Sequence, residues 1–408
     1  MTAIALLNSE KEPHIIADTL LNTDGPDLSQ KKTVWLPALG ETCSEWTTDN
    51  KRWHITRLGR KTFILPNRSG LLAFSGECRD AFNFWCDLSA DFLNRSNYEP
   101  TSNITRDNID KLLLNNPRSH SFSLLGIVRD NDGNLSPLTH NKCKEIITDN
   151  FGKCYVSGTG ASLLEVIIRR QDEFINSVGG WSDSIAISAT EDLAEHISSQ
   201  MLYSESDIGN GESADTSIAK YCGGFYEWYF INNDGVKPLK SRIDLHIILK
   251  ADSMVITRLY YSEQCQKKPD NASSTFSGKY PLRIICFSSS FIEISYTSLL
   301  TKKLALTFND AWGTQIDSTF DGYENNPDFV SRLSGIIDGN TADIMFGSPI
   351  EANRIRLIIN DGKNVSIRAF INKHFSRIHF INDKITIEFS QEINDYILGK
   401  VDCSGNNL

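Results

Sequence analysis

Two apolar runs in the first 21 residues, MTAIALLNSEKEPHIIADTLL, place the strongest constraint on the fold of this chain. The runs AIALL and HIIADTLL are nearly continuous, which is typical of strands that are covered on both faces. The polar stretch NSEKEP between them predicts a turn, so the two runs form a pair of strands. A sheet that begins with such a pair needs a further layer on each of its faces.

The order of the later elements predicts what those layers are. Two short strands, KTFILP and GLLAF, precede a stretch with helical periodicity, SGECRDAFNFWCDLSADFL, and a second helix, TRDNIDKLLLNN. Further strands and helices follow, and the strand GGFYEWYFIN completes this half of the chain. Residues 2–236 are therefore predicted to form an α+β domain in which two sheets lie between helical layers. Residues 22–58, which hold two prolines and two glycines, are predicted to be an irregular insertion.

The character of the sequence changes after about residue 236. Stretches such as RIDLHIILKAD, RIRLIIN and KITIEFS alternate apolar and polar residues, which is typical of half-buried strands. Turn signals such as NDGKN separate these strands. We therefore predict a β-rich C-terminal domain over residues 237–408, with an interaction or regulatory role because it contains no catalytic motif.

Composition and short motifs exclude several classes of function. The net charge of −10 argues against a nucleic-acid partner, since such binding depends on neutralising phosphates. No apolar run reaches the roughly 18 residues of a membrane span. Nine cysteines without a CxxC pair predict free thiols in a reducing, cytoplasmic setting. No metal or other cofactor is expected, since His374 and His379 lack the HExxH glutamate and GTGASLL lacks a Walker lysine.

Thr2 is the residue that most directly suggests a catalytic role, as a nucleophile. Methionine aminopeptidases generally remove an initiator methionine before a small residue such as threonine, which would make Thr2 N-terminal. An N-terminal threonine carries its own base, because its α-amine, with an ordinary pKa of about 8, lies next to its hydroxyl. Such a nucleophile needs a rigid scaffold, and the strand that follows Thr2 at once provides one.

These first 21 residues resemble the beginning of proteasome β subunits and of their bacterial homologue, a ring peptidase that works with an AAA+ unfoldase. Members of this family begin with threonine, continue through two strands, and carry an acidic residue sixteen positions after the threonine. Asp18 stands sixteen positions after Thr2. The stretches CYVSGTGASLLEVI and KYCGGFYEWYFI resemble later motifs of the family, so the resemblance covers about 235 residues in family order.

The stretch LAFSGECRDAF resembles the family's passage from a strand into the first helix. The family has a catalytic lysine twelve residues before an oxyanion-hole glycine in this passage. The resemblance therefore assigns Lys61 to the lysine and Ala73 to the oxyanion position. Lys32 is a rival for the lysine because its distance from Asp18 is closer to the family interval, whereas Lys61 keeps the downstream spacing. Thr159 stands where the family has a serine near the amine.

By this resemblance the chain is a proteasome-like N-terminal-nucleophile (Ntn) hydrolase with a four-layer αββα sandwich. Thr2 would hydrolyse peptide bonds through an acyl ester, with Lys61 held by Asp18. The implied partners are polypeptide substrates, further copies in a homo-oligomeric ring, and an AAA+ unfoldase or another regulator. The family's second serine is replaced by Cys222. Two alternatives are a catalytically inactive scaffold that kept the fold and an Ntn amidohydrolase that acts on a small molecule.

Overall fold

The computed structural model describes residues 2–24, 34–36, 40–42, 45–48, 51–99, 101–182, 187–206, 222–238, 240–264, 282–300, 304–307, 310–316, 331–332, 354–371, 379–381, 384–387 and 389–405. These residues form a mixed α+β structure with several antiparallel sheets and five α-helices. The chain divides into two compact units, one built mainly from Met1–Leu239 and the other from Lys240–Gln264, Leu282–Gln315 and Phe329–Leu408.

The first unit contains fifteen described strands and four described α-helices. In chain order its strands are Ile4–Leu7 (β1), His14–Asp18 (β2), Leu20–Asp24 (β3), Val34–Leu36 (β4), Gly40–Thr42 (β5), Glu45–Thr48 (β6), Lys51–Leu58 (β7), Thr62–Leu65 (β8), Gly70–Gly76 (β9), Phe122–Arg129 (β10), Leu135–His140 (β11), Cys143–Thr148 (β12), Gly152–Ser157 (β13), Tyr226–Asn232 (β14) and Gly235–Pro238 (β15). Its helices are Cys78–Ser96 (α1), Arg106–Asn115 (α2), Ala161–Ser177 (α3) and Ala189–Ser206 (α4).

Two antiparallel sheets hold most of these strands. A six-stranded sheet has the order β12-β13-β1-β2-β14-β15, and a four-stranded sheet has the order β11-β10-β9-β8. The predicted pair of N-terminal strands is present, with Ile4 opposite Ala17 and Leu7 opposite His14. Strand β1 also pairs with β13, so it lies inside the sheet and not at its edge.

Three apolar clusters explain why the N-terminal strands are apolar on both faces. One cluster joins the two sheets and includes Ile4 and Leu6 from β1 together with Leu71 and Leu125. A second cluster packs the opposite face of the six-stranded sheet against α3 and α4. A third packs the four-stranded sheet against α1 and α2. Burial on both faces removes the alternation that a half-exposed strand would show.

The second unit is dominated by a seven-stranded sheet. The described elements of this unit are Arg242–Leu249 (β16), Ser253–Gln264 (β17), Leu282–Ser295 (β18), Leu304–Thr307 (β19), Asp310–Ile316 (β20), Ser331–Arg332 (β21), Arg354–Asn360 (β22), Val365–Ile371 (β23), His379–Ile381 (β24), Lys384–Ile387 (β25) and the helix Gln391–Gly405 (α5). The sheet order is β21-β20-β18-β17-β16-β22-β23, and its β16 and β22 are parallel to each other. One face of this sheet packs against Ile393 and Ile397 of α5.

The structure corrects two expectations about secondary structure. Residues 22–58 were expected to be irregular, but their described parts include the paired strands β3, β6 and β7 and the pair β4–β5. Of the prolines and glycines in this segment, Gly40 begins β5, and the others lie outside the described residues. The C-terminal unit is β-rich, but it ends in the unpredicted helix α5, whose buried Ile393 and Ile397 are four residues apart.

Within the part of the chain that the structure describes, no helix combines the length and apolarity needed to cross a membrane.

Candidate active site

Thr2 lies directly before β1 and is almost completely buried, with 2% of its surface exposed. Its N–H donates to Thr159 Oγ1 at 3.2 Å, and its carbonyl oxygen accepts from Gly160 N–H at 3.0 Å. Gly158 approaches so closely that a Cβ there would stand 2.0 Å from the Thr2 carbonyl oxygen. The turn between β13 and α3 therefore fixes the backbone of Thr2. Met1 is attached in this chain, so its removal would leave an amine where the N–H now faces Thr159.

Asp18 ends β2 and is fully buried. Its Oδ1 accepts from Ala3 N–H at 2.8 Å, and its Oδ2 accepts from Gly223 N–H at 2.9 Å. The Lys61 ammonium donates to the same Oδ1 at 2.7 Å. A buried carboxylate requires this kind of compensation, because an unpaired charge would lose its solvation. Asp18 thus connects the residue next to Thr2, the start of the β14 segment and Lys61.

Lys61 lies directly before β8 and is also fully buried. Its Nζ donates both to Asp18 and to the carbonyl oxygen of Leu20, each at 2.7 Å. Of the two candidate lysines, Lys61 is the one that the structure pairs with Asp18. The rival, Lys32, lies outside the described residues.

Ala73, the predicted oxyanion donor, lies in the middle of the four-stranded sheet. It is paired with Thr62 on one side and with Leu125 on the other. The next residue, Phe74, donates its N–H to Lys61 O at 3.0 Å, on the β8 side. Because successive N–H groups of a strand point to opposite sides, the Ala73 N–H points towards β10 and belongs to the ladder. The structure does not bring this N–H to the site, so Ala73 does not fit the predicted role.

Gly76 is the residue that the sequence reasoning missed. Gly76 stands two residues after Phe74, so the N–H groups of both residues point to the β8 side of β9. Strand β8 begins at Thr62, opposite Ala73, and does not extend as far as Gly76. Gly76 ends β9 with a φ of +99°, and a Cβ there would stand 2.6 Å from Ser121 O. The position therefore requires glycine. The sequence feature that could have indicated Gly76 is the glycine at the end of the strand, in FSGEC, three residues after Ala73.

A pocket of about 590 Å³ opens beside Thr2 and Gly76. Its walls are formed by residues 157–159, 74–78, 120–123 and 21–23, together with Lys142 and Trp53. Hydroxyl groups and backbone amides line much of it, and Leu21, Phe74 and Trp53 add apolar surface. A volume of this size accommodates an amino-acid side chain or a small molecule.

Cys222 lies behind the site, at the position where the resemblance predicts a serine. Its Sγ is so near Gly160 that a Cβ on this glycine would stand 2.6 Å from it. Burial, followed by the negative charge of Asp18, raises the pKa of the Cys222 thiol well above its usual value. The thiol therefore stays protonated and does not act as a nucleophile. The resemblance predicts an aspartate three residues before Cys222, where this chain has Ala219; both Ala219 and the possible substitute Asp215 lie outside the described residues.

The site residues thus fall into two groups. The structure brings together Thr2, Thr159, Asp18 and Lys61, and it leaves Ala73 in the sheet. Among the described residues no cluster of three or more His, Cys, Asp or Glu side chains could hold a metal ion. The arrangement places a hydroxyl and a backbone N–H at one pocket, and a buried Lys61–Asp18 pair is hydrogen-bonded to Ala3, the residue next to Thr2. A hydroxyl, a nearby cation and a backbone N–H are the groups that acyl transfer requires.

The sequence matches no protein-family model, and a search of the curated proteins finds no match.

Proposed function

We propose that this chain is an N-terminal threonine hydrolase of the Ntn type, which cleaves peptide bonds after Met1 has been removed. The observation that carries the proposal is the fully buried Lys61–Asp18 pair, whose carboxylate accepts from the backbone N–H of Ala3, the residue next to Thr2. The layering of two sheets between helices, described above for the first unit, supports a four-layer αββα sandwich as the fold of the proposed enzyme.

The proposed reaction begins with the Thr2 hydroxyl. Its proton passes to the free α-amine while Oγ attacks the carbonyl carbon of the scissile bond. The positive charge of Lys61 lowers the pKa of the amine and keeps it neutral and able to accept this proton. Thr159 holds the amine through its hydroxyl, since the Thr2 nitrogen lies 3.2 Å from Thr159 Oγ1.

The negative charge that develops on the carbonyl oxygen needs a donor. We assign this donor to the Gly76 N–H, which points past the beginning of β8 on the side of the pocket. Loss of one such donor typically costs about 3 kcal/mol of transition-state stabilisation. The protonated amine then gives its proton to the leaving nitrogen, the C–N bond breaks, and an acyl ester on Thr2 remains. A water molecule, deprotonated by the same amine, hydrolyses this ester and restores the hydroxyl.

The proposed substrates are polypeptides, and the proposed assembly is a homo-oligomeric ring with an AAA+ unfoldase or another regulator, in the cytoplasm. These parts of the proposal rest on the resemblance described from the sequence. The cysteine usage of the sequence supports the cytoplasmic location.

The proposal is tested by intact mass of the N-terminus, followed by incubation with a peptide epoxyketone. This reagent forms its ring adduct only with an N-terminal residue that has both a side-chain hydroxyl and a free amine. We expect the wild-type protein to lack Met1 and to gain one adduct, and the Thr2→Ser variant to do the same.

The matched control is Thr2→Ala, which also permits removal of Met1 and keeps the free amine, but has no hydroxyl. It should gain no adduct. A retained Met1 with no adduct on the wild-type protein would overturn the proposal and favour the inactive scaffold. An adduct without hydrolysis of any peptide, but with hydrolysis of small N-acyl amides, would favour the small-molecule amidohydrolase.

A further inference from the structure

Glu227 is a buried carboxylate that the proposed reaction does not use. It lies on β14, opposite Ala17 of β2, and has no exposed surface. It has the same orientation on the strand as Tyr229 and Ile231, which belong to the apolar cluster between the two sheets. A glutamate in this layer is unexpected, because the other members of the cluster are apolar or aromatic.

Four donors surround the Glu227 carboxylate, and three of them come from consecutive residues. Lys61 N–H donates to Oε1 at 2.7 Å, and Arg60 Nε donates to Oε2 at 3.1 Å. The Thr62 hydroxyl also donates to Oε2, and the Tyr229 hydroxyl does so at 3.1 Å. One side chain of the six-stranded sheet thus holds the whole segment that enters β8 of the other sheet.

Stability alone does not explain this arrangement. Arg60 and Glu227 are 5% and 0% exposed, so both charges have lost most of their solvation. Replacing a buried ion pair with apolar residues of similar volume is often neutral or stabilising. The Glu227 carboxylate does provide hydrogen bonds of fixed direction, to the Lys61 N–H and to Arg60 Nε. Apolar side chains could not accept a hydrogen bond from the Lys61 N–H.

The segment held by Glu227 carries Lys61. The backbone N–H of Lys61 is bound to Glu227, and its side chain reaches Asp18 and Leu20 O at 2.7 Å each. Asp18 and Glu227 lie on neighbouring strands, since Asp18 pairs with Tyr226 and Ala17 pairs with Glu227. Two carboxylates on one sheet therefore hold the two ends of the same lysine.

We infer that Glu227 is a positioning residue, which places the Lys61 ammonium beside Thr2 by holding residues 60–62. This inference rests on the proposed function, because the effect on rate exists only if Thr2 is the nucleophile. A displacement of about 1 Å at a reacting centre can cost about 100-fold in rate. Loss of the contacts at Glu227 would free the backbone of Lys61. Glu227 therefore acts on the reaction through Lys61 and does not touch the substrate.

Two variants and one matched control test the inference. Arg60→Met with Glu227→Leu removes both charges at similar volume, so that neither charge is left buried without its partner. It also removes the acceptor of Lys61 N–H and of the Thr62 and Tyr229 hydroxyls. Glu227→Gln keeps an acceptor for Lys61 N–H and removes the charge that faces Arg60. The control, Tyr229→Phe, removes one donor to Glu227 and leaves all contacts with residues 60–62.

The first measurement is the rate of epoxyketone adduct formation as a function of pH, together with the urea midpoint of each variant. We expect the rate to fall about 100-fold in the double variant and about 10-fold in Glu227→Gln, and to be unchanged in the control. The rise of the rate with pH should move to higher pH in both variants, because a displaced Lys61 lowers the pKa of the amine less. A purely structural role would lower the urea midpoint without moving this pH profile.

The second measurement does not depend on activity. Lys61 is fully buried, so an amine-acylating reagent should not modify it in the folded wild-type protein, and should modify it in both Glu227 variants. If the wild type forms no adduct, the proposed function fails, and acylation of Lys61 still decides the positioning role. A folded variant with the wild-type rate and pH profile and an unmodified Lys61 would overturn the inference. If the double variant does not fold, Glu227→Gln decides by the same criteria.

Discussion

Replacing Lys61 with methionine is the perturbation that tests the candidate site most severely. The substitution keeps an unbranched side chain of similar length and removes only the ammonium group. It leaves the Asp18 carboxylate with two backbone donors, Ala3 N–H at 2.8 Å and Gly223 N–H at 2.9 Å, and without a counterion. It also leaves the Leu20 carbonyl oxygen without the lysine donor.

The expected loss of folding free energy in Lys61→Met follows from the burial of both charged groups. Both Asp18 and Lys61 have no exposed surface, so water cannot replace the missing partner. Breaking a buried pair by removing one partner typically costs about 3–5 kcal/mol of folding free energy. We expect Lys61→Met to fall in this range, because the carboxylate keeps its charge in a site from which solvent is excluded.

A double-mutant cycle with Asp18→Asn isolates the interaction. The double variant has neither charge, and the asparagine oxygen can still accept one of the two backbone N–H groups. It should therefore be more stable than Lys61→Met alone, with a coupling energy of about 2–3 kcal/mol, at the upper end for contacting residues.

Hydrogen exchange measured by mass spectrometry at increasing urea concentration is the suitable assay. It reports the opening free energy of the β1 and β2 peptides directly, so unfolding of the second unit does not enter the result. A cost below about 1 kcal/mol for Lys61→Met, or no coupling in the cycle, would refute the reasoning, because such values belong to solvent-exposed ion pairs.

Two further predictions concern the walls of the site. Iodoacetamide should modify the exposed Cys86 in the folded protein and leave Cys222 unmodified, because Cys222 has no exposed surface and burial raises the pKa of its thiol well above the usual value. Partial burial and Asp87 raise the pKa of the Cys86 thiol too, so access of the reagent decides the contrast, and equal rates by mass spectrometry would contradict this. Gly158→Ala should abolish the epoxyketone adduct, because its Cβ would stand 2.0 Å from Thr2 O, whereas Gly179→Ala, at a similar positive φ with open space around it, should form the adduct normally. Loss of the adduct in both variants, or in neither, would show that contact with Thr2 is not the cause.

The sequence predicts the parts of the site that depend on residue identity and spacing. An aspartate in an apolar strand requires a buried partner, and this requirement together with the resemblance pointed to Lys61. The pair is present in the structure. The N-terminal strands were also predicted correctly, because continuous apolar runs reflect burial on both faces.

The oxyanion donor could not be predicted in the same way. Which N–H of β9 faces the pocket depends on the strand register and on where β8 begins. A shift of one residue turns every N–H of a strand to its other side, and spacing in the sequence does not determine that register. Ala73 was therefore chosen where the geometry favours Gly76.

Glu227 and the strands between residues 22 and 58 were missed for related reasons. A glutamate within GGFYEWYF does not reveal which residues will donate to it, because its donors lie about 165 positions away in the chain. In the same way, β7 pairs with β3, from Leu20 opposite Leu58 to Asp24 opposite Trp53, and the residues of one strand do not reveal its partner.

The contacts of Asp18 also determine when the site can form during synthesis of the chain. Its three partners stand 15, 43 and 205 positions away in the sequence. Closing the longest of these loops costs the most chain entropy and requires that residue 223 has left the ribosome. More than half of the chain must therefore be made before the Asp18 carboxylate has all three donors, so the candidate site stays incompletely assembled on the nascent polypeptide.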